Sequence, residues 1–249
     1  DAGCYESHYW SHPPNYQKHG CLTDMPAHAK AFLKIPVIGV GRLDKPEVAT
    51  KAVEEGKLDF VAIGRGLLAD PQWPDKVKSG NAIDIRPCVG CYDGCFASYY
   101  KFRNISCALN PASGRERAYR LEPALKPLNV LVVGGGVGGM EAARVAALRG
   151  HHVSLYEKQG TLGGLVQQAA VPEFKKDLRR LLKWYERQLE QSGIQVFLNH
   201  EIEVDEVYQK VPDVTIMAIG AKSFLPGIPG IEQSSVITAV DLLKGDKTA

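Results

Sequence analysis

Hydrophobic and polar positions in the first third of the chain follow the pattern of strands joined by a helix. Two apolar runs, residues 35–42 and 58–66, contain glycine near their ends, and a stretch of helical composition, residues 46–55, lies between them. Runs of this kind are typical of buried parallel strands in a βαβ unit. We expect Asp44 to cap the intervening helix and Gly56 to end it.

The same alternation returns in the second half of the chain, where it is more regular. Strands separated by helical segments favour a parallel sheet covered by helices, as in doubly wound folds. The pattern predicts strands over residues 129–133, 152–157, 194–199 and 213–221, and helices over residues 140–149 and 174–193. The fold class is therefore α/β.

Proline and aromatic residues set apart the beginning of the chain. Residues 1–33 are rich in tyrosine, histidine and proline, and Pro13 and Pro14 are incompatible with a helix interior. We expect a long ordered loop that lines a site, followed by a short helix over residues 25–33. A loop that packs only on its own rings is the alternative. Residues 67–80 favour a terminal helix broken by prolines.

Glycine and arginine stand at the ends of both predicted strands, at Gly41, Arg42, Gly64 and Arg65. Because parallel strands are neighbours, the two turns would lie side by side at their carboxyl ends. Glycine permits close approach of the backbone, and arginine can form two hydrogen bonds to one phosphate. The pattern predicts a phosphate site like those after strands seven and eight of a (β/α)8 barrel. Tight turns without a ligand are the alternative.

Four cysteines follow in the spacing C-x2-C-x3-C-x11-C, namely Cys88, Cys91, Cys95 and Cys107. Three thiolates from one tight loop and a fourth from a longer excursion can reach one inorganic centre, and four cysteines are the usual ligands of a [4Fe–4S] cluster. A structural zinc site also takes four cysteines, but it tends to pair two short motifs, and the second is missing. A disulfide framework suits shorter secreted chains.

Three glycines, Gly134, Gly136 and Gly139, form the pattern G-x-G-x-x-G after a predicted strand and at the start of a predicted helical region. In dinucleotide-binding folds the first makes the turn, the second admits the pyrophosphate and the third lets the helix pack on the strand. Glu157 ends the next strand, where a carboxylate can accept hydrogen bonds from ribose hydroxyls and would repel a 2′-phosphate. Gly164 belongs to another loop that exposes its backbone.

Composition and charge narrow the function classes. The chain has 249 residues, of which 45% are hydrophobic and 23% are charged, as in ordinary globular proteins. A net charge of +2 is too mild to favour nucleic acid or a membrane surface, and no apolar run is long enough to cross a bilayer. We expect no signal peptide and, because thiols that ligate iron need a reducing compartment, a cytoplasmic location.

The length of the first part bears on its architecture. A full (β/α)8 barrel needs roughly 250 residues, and far fewer precede the cysteines. The chain also begins without methionine, its first being Met25. We therefore expect only the last portion of a barrel, in a sequence that is a piece of a longer enzyme.

These motifs, in this order, resemble a known family. The chain is similar to the flavin-dependent ene-reductases related to 2-enoate reductase, 2,4-dienoyl-CoA reductase and trimethylamine dehydrogenase. The similarity lies in residues 37–42 and 63–71, the four cysteines, the G-x-G-x-x-G fingerprint that begins at Gly134, and residues 218–221. The resemblance covers essentially the whole chain. The opening residues look closest to the clostridial-type 2-enoate reductases.

The resemblance implies three parts. They are the C-terminal part of an FMN-binding (β/α)8 barrel at residues 1–85, a [4Fe–4S] segment and linker at residues 86–126, and an incomplete Rossmann-like FAD-binding domain at residues 127–249, without a nicotinamide domain. The residues that would hold the FMN phosphate are Gly41, Arg42, Gly64 and Arg65. The cluster ligands would be Cys88, Cys91, Cys95 and Cys107. FAD would be held by Gly134, Gly136, Gly139, Glu157 and Gly164.

The implied activity is reduction of the activated C=C bond of a 2-enoate by NADH, an oxidoreductase reaction on CH–CH bonds. Electrons would pass from FAD to [4Fe–4S] and on to FMN. Tyr5, His8 and His12 are weak candidates for the protein groups that act on the substrate, and each is equally a candidate for packing. We expect a small enoate or enoyl thioester as substrate, and a homo-oligomer.

Other functions stay open at this point. A 2,4-dienoyl-CoA reductase and an amine dehydrogenase like trimethylamine dehydrogenase are alternatives within the family. A non-catalytic zinc or nucleotide-binding module is the alternative outside it. Tested alone, this chain is expected neither to bind FMN tightly nor to turn over.

Overall fold

The computed structural model describes residues 5–245. Residues 1–4 and 246–249 lie outside the described residues, as do the side chains of Tyr5 and His8. The chain divides into two compact units, Asp1–Arg120 and Leu121–Ala249. In the described part of the chain, no helix has the length and apolar character needed to span a membrane.

The first unit is made of short elements. Its strands are β1 (Ile38–Gly39) and β2 (Phe60–Val61). Its helices are α1 (His8–Ser11), α2 (Asp24–Lys30), α3 (Pro46–Glu54), α4 (Arg65–Ala69), α5 (Trp73–Lys78) and α6 (Phe96–Tyr100), with 3-10 helices at Tyr5–Ser7 and Ala82–Asp84.

Strands β1 and β2 pair in parallel, with Ile38 opposite Phe60, and α3 connects them. The predicted βαβ unit is therefore confirmed, although the paired strands are much shorter than the apolar runs. The apolar face of α3 packs against the loops beside the strands, in a core of Leu43, Ala49, Ala52 and Leu58. That this unit is the end of a barrel stays a prediction.

Two expectations for the first unit were wrong. The start of the chain is not all loop, because a 3-10 turn and α1 precede Pro13 and end at Ser11, before the prolines can interfere. Asp44 does not cap α3; the cap position is Lys45, without a side-chain bond. The Asp44 carboxylate instead faces the ring nitrogen Nδ1 of His19 at 3.2 Å. Of the two prolines expected to break the helix over residues 67–80, Pro71 lies between α4 and α5, whereas Pro74 stands in the first turn of α5 and does not interrupt it.

The second unit is a parallel sheet with helices. The strands are β3 (Asn129–Val133), β4 (His152–Tyr156), β5 (Gln195–Phe197) and β6 (Val214–Met217). The helices are α7 (Val137–Leu148), α8 (Leu165–Ala169), α9 (Asp177–Gln191), α10 (Val204–Lys210) and α11 (Ala239–Lys244), with a 3-10 helix at Glu173–Lys175. The sheet order is β5-β4-β3-β6, and every pairing is parallel.

The core of the second unit explains its order. Strand β3 is central and buries Val130, Leu131 and Val132 in succession, as expected of a strand covered on both faces. Helix α9 buries apolar residues at helical spacing, which are Leu181, Leu182, Trp184, Tyr185 and Leu189. The four predicted strands and two predicted helices are confirmed, with α7 beginning three residues earlier than expected.

Candidate cluster, phosphate and dinucleotide sites

One pocket of the first unit is lined by all four cysteines of the predicted cluster, which are Cys88, Cys91, Cys95 and Cys107. None of them forms a disulfide; Cys91 is exposed, and the other three are half-buried. The remaining lining residues come from the same loop and from Arg65 and Leu68 on α4. The structure thus brings together the thiols that the spacing singled out.

Hydrogen bonds hold the two passes of this loop together. The Arg86 backbone N–H donates to the buried carboxylate of Asp70 at 2.8 Å, and its guanidinium donates to the carbonyl of Leu109 at 2.6 Å. The Ser106 N–H donates to the carbonyl of Gly94 at 2.9 Å. A side chain on Gly94 would meet the backbone around Cys107 at 2.8–2.9 Å. The fourth cysteine is therefore pressed against the loop that carries the other three.

Burial shifts two thiols of the pocket. Burial, with a smaller contribution from the nearby Asp44 carboxylate, raises the pKa of the Cys88 thiol to about 12. Burial also raises the pKa of Cys91, with Cys107 and Cys95 adding to the effect. As ligands these two thiols would have to be deprotonated, and the positive charge of a bound metal favours the thiolate form.

The donor set of the pocket fits a cluster. Four cysteine thiols line it, and four cysteines are the usual ligands of a [4Fe–4S] cluster. A structural zinc site takes the same four ligands. Within the described residues, no three or more histidine, cysteine or acidic side chains are arranged to hold a single metal ion. The identity of the four cysteines as cluster ligands stays a prediction.

A second cavity of the first unit, of about 230 Å³, is lined by the residues predicted to bind phosphate, Gly41, Arg42, Gly64 and Arg65. Ser11, His12 and Cys88 line it too. The sequence had not singled out Ser11, because a lone serine before two prolines carries no recognisable signal. Arg65 and Cys88 belong to the walls of both cavities.

The two arginines differ in what they bind. Arg42 is buried, and its Nη1 donates to the carbonyls of Pro14 at 3.1 Å and Asn15 at 3.0 Å, so its side chain braces the loop after α1. Its backbone is left-handed, with φ +54°, a conformation that clusters at binding sites in residues other than glycine. Arg65 donates through Nη2 to the Pro13 carbonyl at 2.7 Å. Its Nη1 is buried without a hydrogen-bond partner among the described residues.

The three weak catalytic candidates fare differently. The side chains of Tyr5 and His8 lie outside the described residues. His12 lines the phosphate cavity, and its ring centroid is 4.2 Å from that of Phe96. His12 therefore has both positions that were expected for it, in a cavity wall and in an aromatic contact. Its catalytic role stays a prediction.

The glycine fingerprint of the second unit has the expected geometry at each position. Gly134 has φ +105°, and a Cβ there would lie 2.4 Å from the Ala218 carbonyl oxygen. A Cβ on Gly139 would lie 1.8 Å from the Gly134 oxygen, so α7 packs too closely for any side chain. Gly136, at the start of α7, has nothing within 4 Å of its Cβ position. The space left at the helix N-terminus fits a pyrophosphate.

Glu157 and Gly164 both meet the fingerprint loop. The buried Glu157 carboxylate accepts from the Gly135 N–H at 2.6 Å and from the Gln159 N–H at 2.8 Å. A Cβ on Gly164, which has φ +52°, would lie 3.2 Å from the Cα of Gly136. Glu157 therefore supports the loop directly, a role that its position at the end of a strand did not reveal.

Known protein families match both units. The sequence model of the NADH:flavin oxidoreductase / NADH oxidase family matches residues 6–84, and that of pyridine nucleotide-disulphide oxidoreductases matches residues 128–248. Cinnamate reductase of Clostridium sporogenes is 43% identical over 98% of this chain. NADH oxidase of Thermoanaerobacter brockii is 38% identical over 98% of this chain. The structure of a 2-naphthoyl-CoA reductase in complex with 2-naphthoyl-CoA matches 94% of the chain, with a TM-score of 0.89 and 36% identity.

The chain spans little more than a third of the length of these relatives. It covers 36% of the cinnamate reductase, 38% of the NADH oxidase and 36% of the 2-naphthoyl-CoA reductase chain. Both family matches fall in the order in which the phosphate and dinucleotide motifs occur along the sequence.

Proposed function

We propose that this chain is part of a 2-enoate reductase-type NADH:flavin oxidoreductase, and that the whole protein reduces the activated C=C bond of a 2-enoate at the expense of NADH. The observation that carries the proposal is the cysteine pocket, because it shares Arg65 and Cys88 with the phosphate cavity. A pocket of thiols beside a phosphate site suits electron transfer to a flavin better than a structural metal.

We assign the cofactors by the residues that fit them. The cysteine pocket would hold a [4Fe–4S] cluster, the cavity around Gly41 and Arg65 the phosphate of FMN, and the fingerprint loop the pyrophosphate of FAD. When bound, these groups would carry electrons from NADH to the alkene, changing from two-electron to one-electron transfer and back.

The residues of the second unit would fix the nucleotide. The N–H groups at the start of α7 face the open space at Gly136 and suit an anionic pyrophosphate. The Glu157 carboxylate keeps lone pairs for ribose hydroxyls beyond the two backbone N–H groups that it already accepts. The same negative charge disfavours a nucleotide with a 2′-phosphate.

In the first unit, backbone and guanidinium groups would hold the other phosphate. The buried Nη1 of Arg65 has a hydrogen to donate and no acceptor among the described residues, which a phosphate oxygen would supply. His12 stands in the wall of the same cavity. Of the three catalytic candidates, it is the one whose side chain is described, and it would contact the flavin or the substrate.

The similarity to a cinnamate reductase suggests the first substrate to try. Cinnamate is a free 2-enoate with an aryl group, whereas 2-naphthoyl-CoA is a thioester. We propose a free aryl enoate as the substrate class because the identity is higher to the cinnamate reductase, 43% against 36%.

The test uses the full-length protein, purified without oxygen. We expect about four iron and four labile sulfide per chain, one FMN and one FAD, and NADH oxidation that depends on added cinnamate, with 3-phenylpropanoate as product. Bleaching of the flavin by secondary or tertiary amines and not by NADH would favour the amine dehydrogenase alternative. Stoichiometric zinc without iron would rule out electron transfer through the cysteine pocket, on which the proposal depends.

A further inference from the structure

Arg65 lines both cavities of the first unit, the cysteine pocket and the phosphate cavity, and its side chain is charged. Among the described residues lining the cysteine pocket, it carries the one permanent charge; the others are cysteines, glycines, a tyrosine and apolar side chains. Its guanidinium carbon lies 5.1 Å from the centre of the Tyr92 ring, and Tyr92 stands directly between Cys91 and Asp93 in the cysteine loop. The Arg65 guanidinium is therefore in contact with the cysteine loop.

The contact with Tyr92 is built into the backbone. Tyr92 has φ +62°, an unfavourable conformation for a residue with a side chain, at a cost of about 1–3 kcal/mol. The conformation is kept in the residue whose ring faces Arg65. On its other side the guanidinium is tied to the Pro13 carbonyl, so two contacts fix its position.

The guanidinium of Arg65 shares a cavity with the thiols. Arg65 and all four cysteines line the cysteine pocket, and Arg65 and Cys88 also line the phosphate cavity. Hydrogen bonds, net charge and solvent exposure are the terms that set the reduction potential of an iron–sulfur cluster.

We infer that Arg65, held in place by Tyr92, raises the reduction potential of the cluster bound by Cys88, Cys91, Cys95 and Cys107. The inference rests on the proposed function, since it requires a cluster in that pocket. It gives Arg65 a second task beyond the phosphate. A cluster held by four thiolates gains one negative charge on reduction, and a nearby cation stabilises the more negative form.

The experiment compares midpoint potentials in the full-length protein, by redox titration followed through the EPR signal of the reduced cluster. Arg65→Gln removes the charge and is expected to shift the potential to more negative values. Arg65→Lys keeps the charge and is expected to shift it less. Arg103→Gln is the matched control, because Arg103 is exposed on the excursion between Cys95 and Cys107. Iron, FMN and FAD contents are measured for each variant.

Several results would overturn the inference. One is a midpoint potential in Arg65→Gln equal to that of the wild type. Another is an equal shift in Arg65→Gln and Arg65→Lys, because packing and not charge would then be responsible. Should Arg65→Gln take up no iron, Tyr92→Leu and Tyr92→Phe decide. The leucine is expected to lower the potential because the guanidinium loses both the ring and the hydroxyl of Tyr92, and the phenylalanine, which keeps the ring, to lower it less. Identical potentials in both would refute the inference.

The proposed function fails in a different way. If the wild-type protein contains neither iron nor sulfide, it holds no cluster, and the proposed function fails before any variant is compared. A wild-type protein with a cluster whose potential is unmoved by every Arg65 and Tyr92 variant leaves the proposed function intact and removes only the role of Arg65.

Discussion

At the scale of single residues, the glycines of the fingerprint have different physical roles. We predict that Gly139→Ala destabilises the second unit by at least about 2 kcal/mol, because its Cβ would lie 1.8 Å from the Gly134 oxygen, and backbone must move. Gly136→Ala meets nothing within 4 Å and should leave stability nearly unchanged while FAD content falls. Urea unfolding and flavin analysis separate the two effects.

Each glycine variant serves as the control for the other. They make the same chemical change three residues apart in one motif, so a general effect of alanine would appear in both. Equal loss of stability in the two variants would contradict the packing argument. Full FAD content in Gly136→Ala would contradict the assignment of that open space to a pyrophosphate.

Glu157 carries a prediction that does not depend on a ligand. Its carboxylate accepts from two backbone N–H groups, and Glu157→Gln replaces one acceptor by an amide donor. The loss of one buried hydrogen bond should lower the free energy of unfolding by about 1–3 kcal/mol even in flavin-free protein. Glu201→Gln, at an exposed neighbouring carboxylate, should change it by less than about 0.5 kcal/mol. If Glu157→Gln leaves the free energy of unfolding of the flavin-free protein unaltered, binding of the ribose is the one role left for Glu157.

At the scale of elements, Asp70 connects the helices of the first unit to the cysteine loop. Its buried carboxylate accepts from Lys76 Nζ at 2.7 Å, from the Gln72 N–H and from the Arg86 N–H two residues before Cys88. Asp70→Ala leaves these donors without an acceptor. We predict a loss of about 3 kcal/mol in stability and a lower iron content, measured by urea unfolding and iron analysis of the full-length protein.

The control for this prediction lies on α5, the helix that carries Lys76. Asp75 is exposed in the first turn of α5, and Asp75→Ala should alter neither stability nor iron content beyond small changes. Full iron content in Asp70→Ala would show that the cysteines find their positions without the anchor at Arg86.

The elements also show how far sequence reasoning reaches. Long apolar runs with regular spacing, such as those of β3 and α9, were predictable because burial decides them locally. Short helices such as α6 and α10 were missed, since a few turns carry no periodic signal and depend on tertiary contacts. The N-cap of α3 was wrong for a related reason: Asp44 is turned towards His19, which is 25 residues away in the sequence.

The candidate sites divide in the same manner. The cysteines selected by spacing line one pocket, and the glycines selected by spacing form one tight loop, because a motif is a local backbone geometry. Their roles as ligands stay predictions. The contacts between motifs were not predictable. The Arg65 and Tyr92 pair joins positions that are 27 residues apart in the sequence, and the hydrogen bond that the Gly135 N–H donates to Glu157 joins the ends of neighbouring strands. Such pairs are set by packing after the elements have formed.

At the scale of the whole molecule, the first unit does not enclose enough space to cover a whole flavin. Strands β1 and β2 form a sheet of two, which is marginal in isolation, and their Ile38 and Phe60 side chains are 64% and 59% exposed. The phosphate cavity measures about 230 Å³. Sites for small molecules usually enclose about 300–1,000 Å³ and most of the ligand surface. The cavity therefore suits the phosphate end of FMN and leaves the ring system uncovered.

We accordingly predict that residues 1–249, produced alone, retain less than about a tenth of an FMN per chain after desalting and show no NADH-dependent reduction of cinnamate. Loss of the contacts to the ring removes most of the binding energy, since affinity falls about tenfold for every 1.4 kcal/mol. The full-length protein, purified in parallel, is the control and should keep one FMN. Stoichiometric FMN on residues 1–249 would mean that the phosphate end alone supplies the affinity, because Gly41, Arg42, Gly64 and Arg65 would then hold the cofactor without a completed barrel.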